Sequence, residues 1–245
     1  MVFKTERRKI LTRLVNGFAA FCLSLWWPVS WAAAKDKKQY RGGVMKLPRP
    51  KKDGTVSVER AITQRRTIRA YLPQILVLDQ VSQLLWAAQG ITEDRGFKRA
   101  APSAGALYPM DVYAVVGQDS VEQIEAGVYH YEPKRHGLSL VTKRDLRGKL
   151  AGAALAQRWM ARAPINLVIT AEYSRVAGKY GNRGVRYAMI EAGHIAQNLF
   201  LQAEALGLKA GIVGAFHDKK LIDILKIPRT HEPLLIMPAG YAAAV

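Results

Sequence analysis

The chain has a single cysteine, Cys22, inside an apolar stretch near the N-terminus. The rest of the chain has no thiol, which excludes disulfides, thiolate catalysis, iron–sulfur ligation and covalent haem attachment there. Phe21 stands before Cys22 where a lipoprotein signal has a small residue, so no lipid anchor is expected. Acidic residues are also scarce. Nineteen Asp and Glu face 37 Lys and Arg in 245 residues, a net charge of +18. That excess favours anionic partners such as phosphate-bearing ligands or a membrane surface. A nucleic-acid motif and a basic stripe interleaved with aromatics are both missing, so nucleic acid is not expected as a partner. Solubility and surface attraction account for most of these charges. Metal-ligand spacing is absent as well. Glu191-x-x-His194 has the spacing of a carboxylate-bridged metal motif but lacks the second copy such a site needs. His130, His136, His217 and His231 are scattered, and no metal is expected.

What is present is a globular composition, 49% hydrophobic and 23% charged, which suits one ordinary domain with a real core. Residues 1–34 stand apart. Lys4, Arg7, Arg8, Lys9 and Arg13 open the chain, residues 15–31 are nearly all apolar, and Ala32-Ala33-Ala34 precede Lys35. These three regions make an export signal peptide. The apolar run is short and interrupted by Pro28, so no stable membrane span is expected once the signal is removed. Arg7-Arg8-Lys9-Ile10-Leu11 resembles a twin-arginine signal, which implies export, with a periplasmic location, of an already folded protein. Removing residues 1–34 takes away five Lys or Arg and one Glu and leaves +14. Residues 35–56 are Lys-rich with Gly42, Gly43, Pro48, Pro50 and Gly54, and read as a basic extended arm. The domain proper is expected at 57–245.

Within it, Ser57 is placed to cap a helix reaching Arg65, with Val58, Ala61 and Ile62 inward. Residues 79–89 predict a second helix ending at Gly90. Strands are expected at residues 111–116, 127–131, 138–141, 165–171, 210–215 and 234–238, and an Ala-rich helix at 145–161. The longest helical signal spans residues 183–208, with Gly207 as its stop. Ala188, Ala192, Ile195, Leu199, Ala203 and Leu206 form one apolar stripe, and Tyr187, Glu191, His194 and Asn198 a polar one. Few charges and several small residues mark a buried central helix whose polar atoms need defined partners. The class is α+β.

Three stretches carry chemistry. In an extended segment after the first helix, Arg65, Thr67 and Arg69 point the same way and suit a phosphate or carboxylate clamp. A helix C-terminus favoured by its dipole is the plain alternative. Residues 102–109, PSAGALYP, are small and uncharged, so their backbone amides are open to a planar or phosphorylated ligand. Gly211-Ile212-Val213-Gly214-Ala215-Phe216 repeats that character where a strand ends.

Together with GVYHY at 127–131, KYGNRGVRY at 179–187 and EAGHIAQN at 191–198, these stretches resemble the SagB-type dehydrogenase branch of the nitroreductase superfamily. The resemblance covers residues 57 to the C-terminus. It implies a nitroreductase-like sandwich with a central mixed sheet and a long interface helix, a homodimer, and FMN in a cleft built from both subunits. It further implies that Arg65, Thr67 and Arg69 contact the flavin phosphate and ring. Pro102, Ser103, Ala104, Gly105 and Tyr108 would lie beside the ring system, and the Gly214-Ala215 backbone near the reactive nitrogen. Many nitroreductases carry a glutamate where this chain has Gly214, so only main-chain contacts carry over. The basic tail that many relatives direct at the phosphate is replaced here by Ala242-Ala243-Ala244-Val245. Lys179 and Tyr180 match the catalytic Lys-Tyr pair of azoline oxidases, where a base takes a proton as hydride leaves a small organic substrate. Taken outside the resemblance, Lys179 reads as a solvated loop lysine. The alternatives to an exported FMN oxidoreductase are an NAD(P)H-dependent nitro- or quinone reductase and a flavin-binding protein without turnover.

Overall fold

The structure, a computed structural model, describes residues 43–243. Residues 1–42, with the expected signal peptide and the first part of the arm, lie outside the described residues, as do 244–245. The later part of the arm belongs to the fold. Val44–Lys46 forms the edge strand β1 against β4 (Gly137–Thr142), with Met45 opposite Leu138. Met45 and Leu47 are buried, and Lys51 exchanges backbone hydrogen bonds with the Gln83 side chain.

Helix α1 (Val58–Gln64) starts where Ser57 accepts the Arg60 amide at 3.2 Å, a side-chain N-cap. Of its expected inward residues only Ala61 is buried. Val58 and Ile62 are 63% and 54% exposed. Helix α2 (Leu78–Gln89) buries one face and ends at Gly90. Strands β2 (Met110–Val116), β3 (Gly127–Glu132) and β5 (Ile165–Ala171) follow the alternating and continuous apolar patterns. The helix expected over 145–161 is broken. Helix α3 covers Arg147–Ala153, Leu155 and Ala156 adopt left-handed φ of 53° and 59°, and a 3₁₀ turn follows at Arg158–Arg162. Gly148 and Gly152 lie within the part that is helical, and the break falls after them, at Leu155 and Ala156. Two helices were not anticipated from the pattern: α4 (Ser174–Tyr180) and α6 (Asp218–Leu225). Helix α5 (Arg183–Ala205) is the expected long one, closed by Gly207 at φ 70°. Strand β6 (Lys209–Ala210) is only two residues long, although the Gly211 amide still donates to the Pro238 carbonyl at 2.8 Å. Val213 then makes an isolated bridge to Ile236 of β7 (Glu232–Gly240).

The sheet order is β1-β4-β3-β2-β5-β7-β6, with every named strand pair antiparallel. Parallel pairing against it comes from the Thr67–Ala210 bridge. Because side chains alternate along a strand, β2 and β5 feed two cores. Val112, Ala114, Val116, Ile165, Leu167 and Ile169 meet α2 and α5 on one face. Tyr113, Val115 and Val168 meet α3 and α6 on the other. The result is a sheet covered on both faces by helices. The predicted apolar stripe of α5 is its buried side, with Ala188, Ile195 and Ala203 fully enclosed. Its opposite side exposes Val185, Met189 and Ile190 at 38%, 52% and 48%.

Candidate functional site

The arginine segment begins where α1 stops. Arg65 turns extended, and Ile68 donates its amide to Ala210 at 2.9 Å, which sets the segment against the end of β6. The Arg65 guanidinium lies 5.1 Å from the Phe200 ring centroid, and that of Arg69 lies 5.9 Å from Trp159. Neither has a carboxylate within salt-bridge reach among the described residues. Arg66 differs: its guanidinium donates to the carbonyls of Thr63 and Arg65. The fold thus presents two unneutralised cations on aromatic faces, with the partly buried Thr67 between them. That arrangement fits an anion such as a phosphate. Gly211 permits the close approach, since a Cβ there would meet the Ile68 carbonyl at 2.8 Å and the Trp159 ring at 3.0 Å. Gly214 and Ala215 follow, both exposed.

The second group of residues lies in the loop before β2. Ala104–Ala106 forms one 3₁₀ turn, with Gly105 at φ 61°, and Ala106 and Tyr108 also left-handed. The Ser103 hydroxyl accepts the Tyr108 amide at 2.9 Å and closes the turn. The Tyr108 hydroxyl accepts the Arg99 amide and donates to the Phe97 carbonyl, while the Arg99 guanidinium lies 4.3 Å from its ring centroid. Over Gly105 the α4 residues converge. A Cβ on Gly105 would lie 2.8 Å from the Tyr180 hydroxyl and 3.0 Å from Lys179 Nζ. The Tyr180 ring is held edge-on to Tyr187, 5.1 Å between centroids. Lys179 lies in the last turn of α4 and is exposed. Beside this loop, Pro102, Ser103, Ala104, Tyr187, Ile190, Glu191 and His194 line a cavity of about 150 Å³. A larger groove of about 500 Å³ lies elsewhere, around residues 71–75, Arg147 and Arg162, and none of the sequence-predicted site residues lines it.

The polar stripe of α5 divides by function. Asn198 donates to the carbonyls of Ala87 and Ala100, which is structural. Glu191 is buried and accepts from Gln89, which in turn accepts from Arg99. Burial pushes the Glu191 carboxyl above its ordinary value, with the Ser103 and Gln89 hydrogen bonds and the Arg99 charge opposing. Sequence pattern singled out Glu191 but not Gln89 or Arg99, which no motif marks. Linkage gives a test. Above the ordinary value of 4.5 the unfolded chain releases this proton before the folded one does. Stability is therefore lost as pH rises through the raised native value. Glu191→Gln should remove that slope, so its urea midpoint gains on wild type between pH 4 and pH 8.

Within one chain these two groups of residues lie far apart. Thr67 bridges Ala210, Ala210 pairs with Ala239, and Ala239 pairs with Ile165, the first residue of β5. The loop enters β2 at Met110, which pairs with Ala171, the last residue of β5. Six residue steps separate them along that strand, about 20 Å.

The fold also collects residues that sequence left scattered. Asp111, His130, Glu172, Arg175 and His231 meet at the end of the sheet beside Tyr108. His130 Nε2 is 2.8 Å from Asp111 Oδ1, and Arg175 contacts both carboxylates. Burial pushes the Asp111 carboxyl up, but the His130 hydrogen bond and the Arg175 charge outweigh it and hold it below its ordinary value.

The family model described as the nitroreductase family matches residues 62–241. A nitroreductase-type protein of Methanocaldococcus jannaschii is 44% identical over 185 residues, covering 76% of this chain and 91% of that one. The microcin B17-processing protein McbC of Escherichia coli is 29% identical over 67% of this chain and 62% of its own length. Among solved structures, a nitroreductase-type protein of Ralstonia eutropha superposes with TM-score 0.72 at 30% identity, covering 83% of this chain and 91% of that chain. The chain belongs to the nitroreductase family and is an oxidoreductase of that family. Its likeness to McbC and to the trifolitoxin-processing protein TfxB of Rhizobium leguminosarum agrees with the SagB-type branch.

Proposed function

We propose that the protein is an exported, FMN-dependent oxidoreductase that dehydrogenates or reduces a small organic substrate. One observation carries this reading: Lys179 Nζ and the Tyr180 hydroxyl converge over the side-chain-free face of Gly105, in a loop that would lie beside the flavin. Bound FMN would supply the hydride-accepting and hydride-donating chemistry. The chain supplies the rest. Arg65 and Arg69 hold the phosphate, with Thr67 between them. The exposed Gly214-Ala215 backbone meets the ring system. Pro102, Ser103, Ala104, Gly105 and Tyr108 give a flat wall without side-chain bulk. Lys179 Nζ takes or returns the substrate proton, and Tyr180, braced by Tyr187, orients it. The separation of the clamp from the loop within one chain supports a homodimer in which one copy's clamp faces the other's loop. The exposed apolar side of α5 supplies the contact. Among the described residues no helix is long and apolar enough to cross a membrane. Export favours an acceptor other than nicotinamide, which is not normally supplied outside the cytoplasm.

The test is the visible spectrum of protein purified from the exported fraction, with the released chromophore identified by mass. A colourless protein that takes up no added FMN overturns the reading. Rapid bleaching by NADPH would instead make it an NAD(P)H-dependent reductase. In the coloured protein, Lys179→Met should keep FMN yet lower the single-turnover rate about 10²- to 10⁴-fold, the range for loss of a positioned general acid–base. Tyr180→Phe should fall between them. An unchanged rate in Lys179→Met points to a flavin-binding protein without turnover.

A further inference from the structure

We propose that Asp111, Glu172 and His231 form a divalent transition-metal site in which the Arg175 guanidinium is an exchangeable stand-in for the metal ion. Strands β2, β5 and β7 are neighbours, and their registers bring the three residues to one end of the sheet. Asp111 pairs with Thr170, and Ala171 pairs with Glu232, so Glu172 and His231 each lie one residue beyond a paired position. The three side chains offer ligand atoms that all lie within 4.8 Å of one another.

Each ligand is fixed through its other polar atom, which is how metal ligands are oriented by an outer layer of hydrogen bonds. His231 Nδ1 is 3.0 Å from the Tyr113 hydroxyl, Asp111 Oδ1 is 2.8 Å from His130 Nε2, and Glu172 Oε1 accepts from Ser174 at 3.2 Å. The remaining atoms, His231 Nε2, Asp111 Oδ2 and Glu172 Oε2, then point at a common volume. The His231 side chain is 9% exposed, yet its Nε2 is 3.8 Å from Asp111 Oδ2 and 3.6 Å from Glu172 Oε2. Those separations are too long for hydrogen bonds. They are close to the edge of a ligand tetrahedron around a metal. Bonds of about 2.1 Å place ligand atoms about 3.4 Å apart. The buried Asp111 Oδ2 has no hydrogen bond, although Arg175 Nη1 lies 2.7 Å away as a charge contact.

Arg175 Nη2 is 2.6 Å from Glu172 Oε2, so the guanidinium spans both carboxylates from the open side. Its side chain is 35% exposed and can withdraw to water. Two carboxylates against one guanidinium leave one negative charge unbalanced, whereas a dication in the guanidinium's place would neutralise both. An imidazole with two carboxylates suits zinc or manganese, with water completing the coordination. No electron transfer and no bond change in the protein is involved; the exchange is one cation for another, with a proton leaving Nε2 if His231 carries it there.

The experiment is a zinc titration of the untagged full chain against a chromophoric chelator, with bound zinc counted after dialysis. One zinc per chain is expected. Arg175→Met should bind at least about tenfold more tightly, because the competing cation is gone, and zinc should raise its melting temperature more than it raises that of wild type. His231→Gln and Asp111→Asn should lose the stoichiometric site. Tyr113→Phe should weaken it about 10- to 100-fold. His194→Ala and His217→Ala, both exposed and outside the group of ligand atoms, should leave it unchanged. Failure of both wild type and Arg175→Met to bind one zinc, or binding that survives His231→Gln, overturns the proposal. Should Arg175→Met not fold, wild type against His231→Gln decides alone.

Discussion

Ile190→Glu is expected to dissociate the proposed homodimer and, in the same step, to strip the protein of FMN. Ile190 is 48% exposed, Met189 beside it 52%, and Val185 one turn earlier 38%. Gly193, one turn further on, has no atom within 4 Å of where a Cβ would lie, so a partner can approach closely there. A carboxylate buried at such a contact without a partner costs about 3–5 kcal/mol. A twofold contact meets that penalty from both copies, so dimer dissociation should rise by at least about 10³-fold. FMN should be lost in parallel because the clamp and the loop of one chain are about 20 Å apart along β5, and in the proposed homodimer each site takes its clamp from one copy and its loop from the other. Light scattering and the flavin absorbance of the same sample read both effects. Leu155→Glu, at a 57% exposed position between α3 and the following 3₁₀ turn, is the control and should change neither. A monomer that keeps stoichiometric FMN would show that one chain completes the site.

Much of this architecture was legible because it rests on periodicity. The stripe from Ala188 to Ala203 and the unbroken apolar run Ile165–Ala171 are driven by burial against many neighbours, and burial leaves a pattern in sequence. Helix α4 leaves none. It is seven residues with Gly178 inside, held by packing of Val176 and by the Arg175 ion pairs, neither of which has a period. The residues 145–161 mislead for the opposite reason, since alanine favours helix locally while the fold needs a turn at Leu155 and Ala156. In the arm, Met45 and Leu47 are too few to register as a strand, yet they cover the edge of β4. Lys179 and Tyr180 were found through resemblance; their meeting over Gly105 depends on α4, so composition alone offers no route to it. The cluster around Asp111 was invisible because its members are spread from 111 to 231 and only strand adjacency unites them.

Arg65 and Arg69 should prove unequal to Arg66 although the three lie within five residues. Alternation along an extended segment aims the first and third of these arginines together. The structure adds the reason the middle one is excluded: Arg66 spends its guanidinium on the Thr63 and Arg65 carbonyls. A charge-assisted hydrogen bond to phosphate is worth about 1.5–3 kcal/mol, so Arg65→Met or Arg69→Met should weaken FMN binding about 10- to 150-fold. The double variant should approach the product of the two unless both guanidiniums grip the same oxygen, in which case the loss saturates. Arg66→Met should leave binding within about twofold. Riboflavin separates phosphate recognition from general damage. It lacks the phosphate, so wild type and the arginine variants should bind it alike. A variant that loses riboflavin as well has disturbed the Phe200 and Trp159 faces on which the guanidiniums rest. Salt sharpens the contrast, because screening acts on the phosphate contact and leaves ring stacking almost untouched. The affinity gap between FMN and riboflavin should therefore narrow with ionic strength in wild type and stay small in the double variant. A gap that persists in the double variant would move the phosphate away from this segment, to other basic residues of a chain that carries 37.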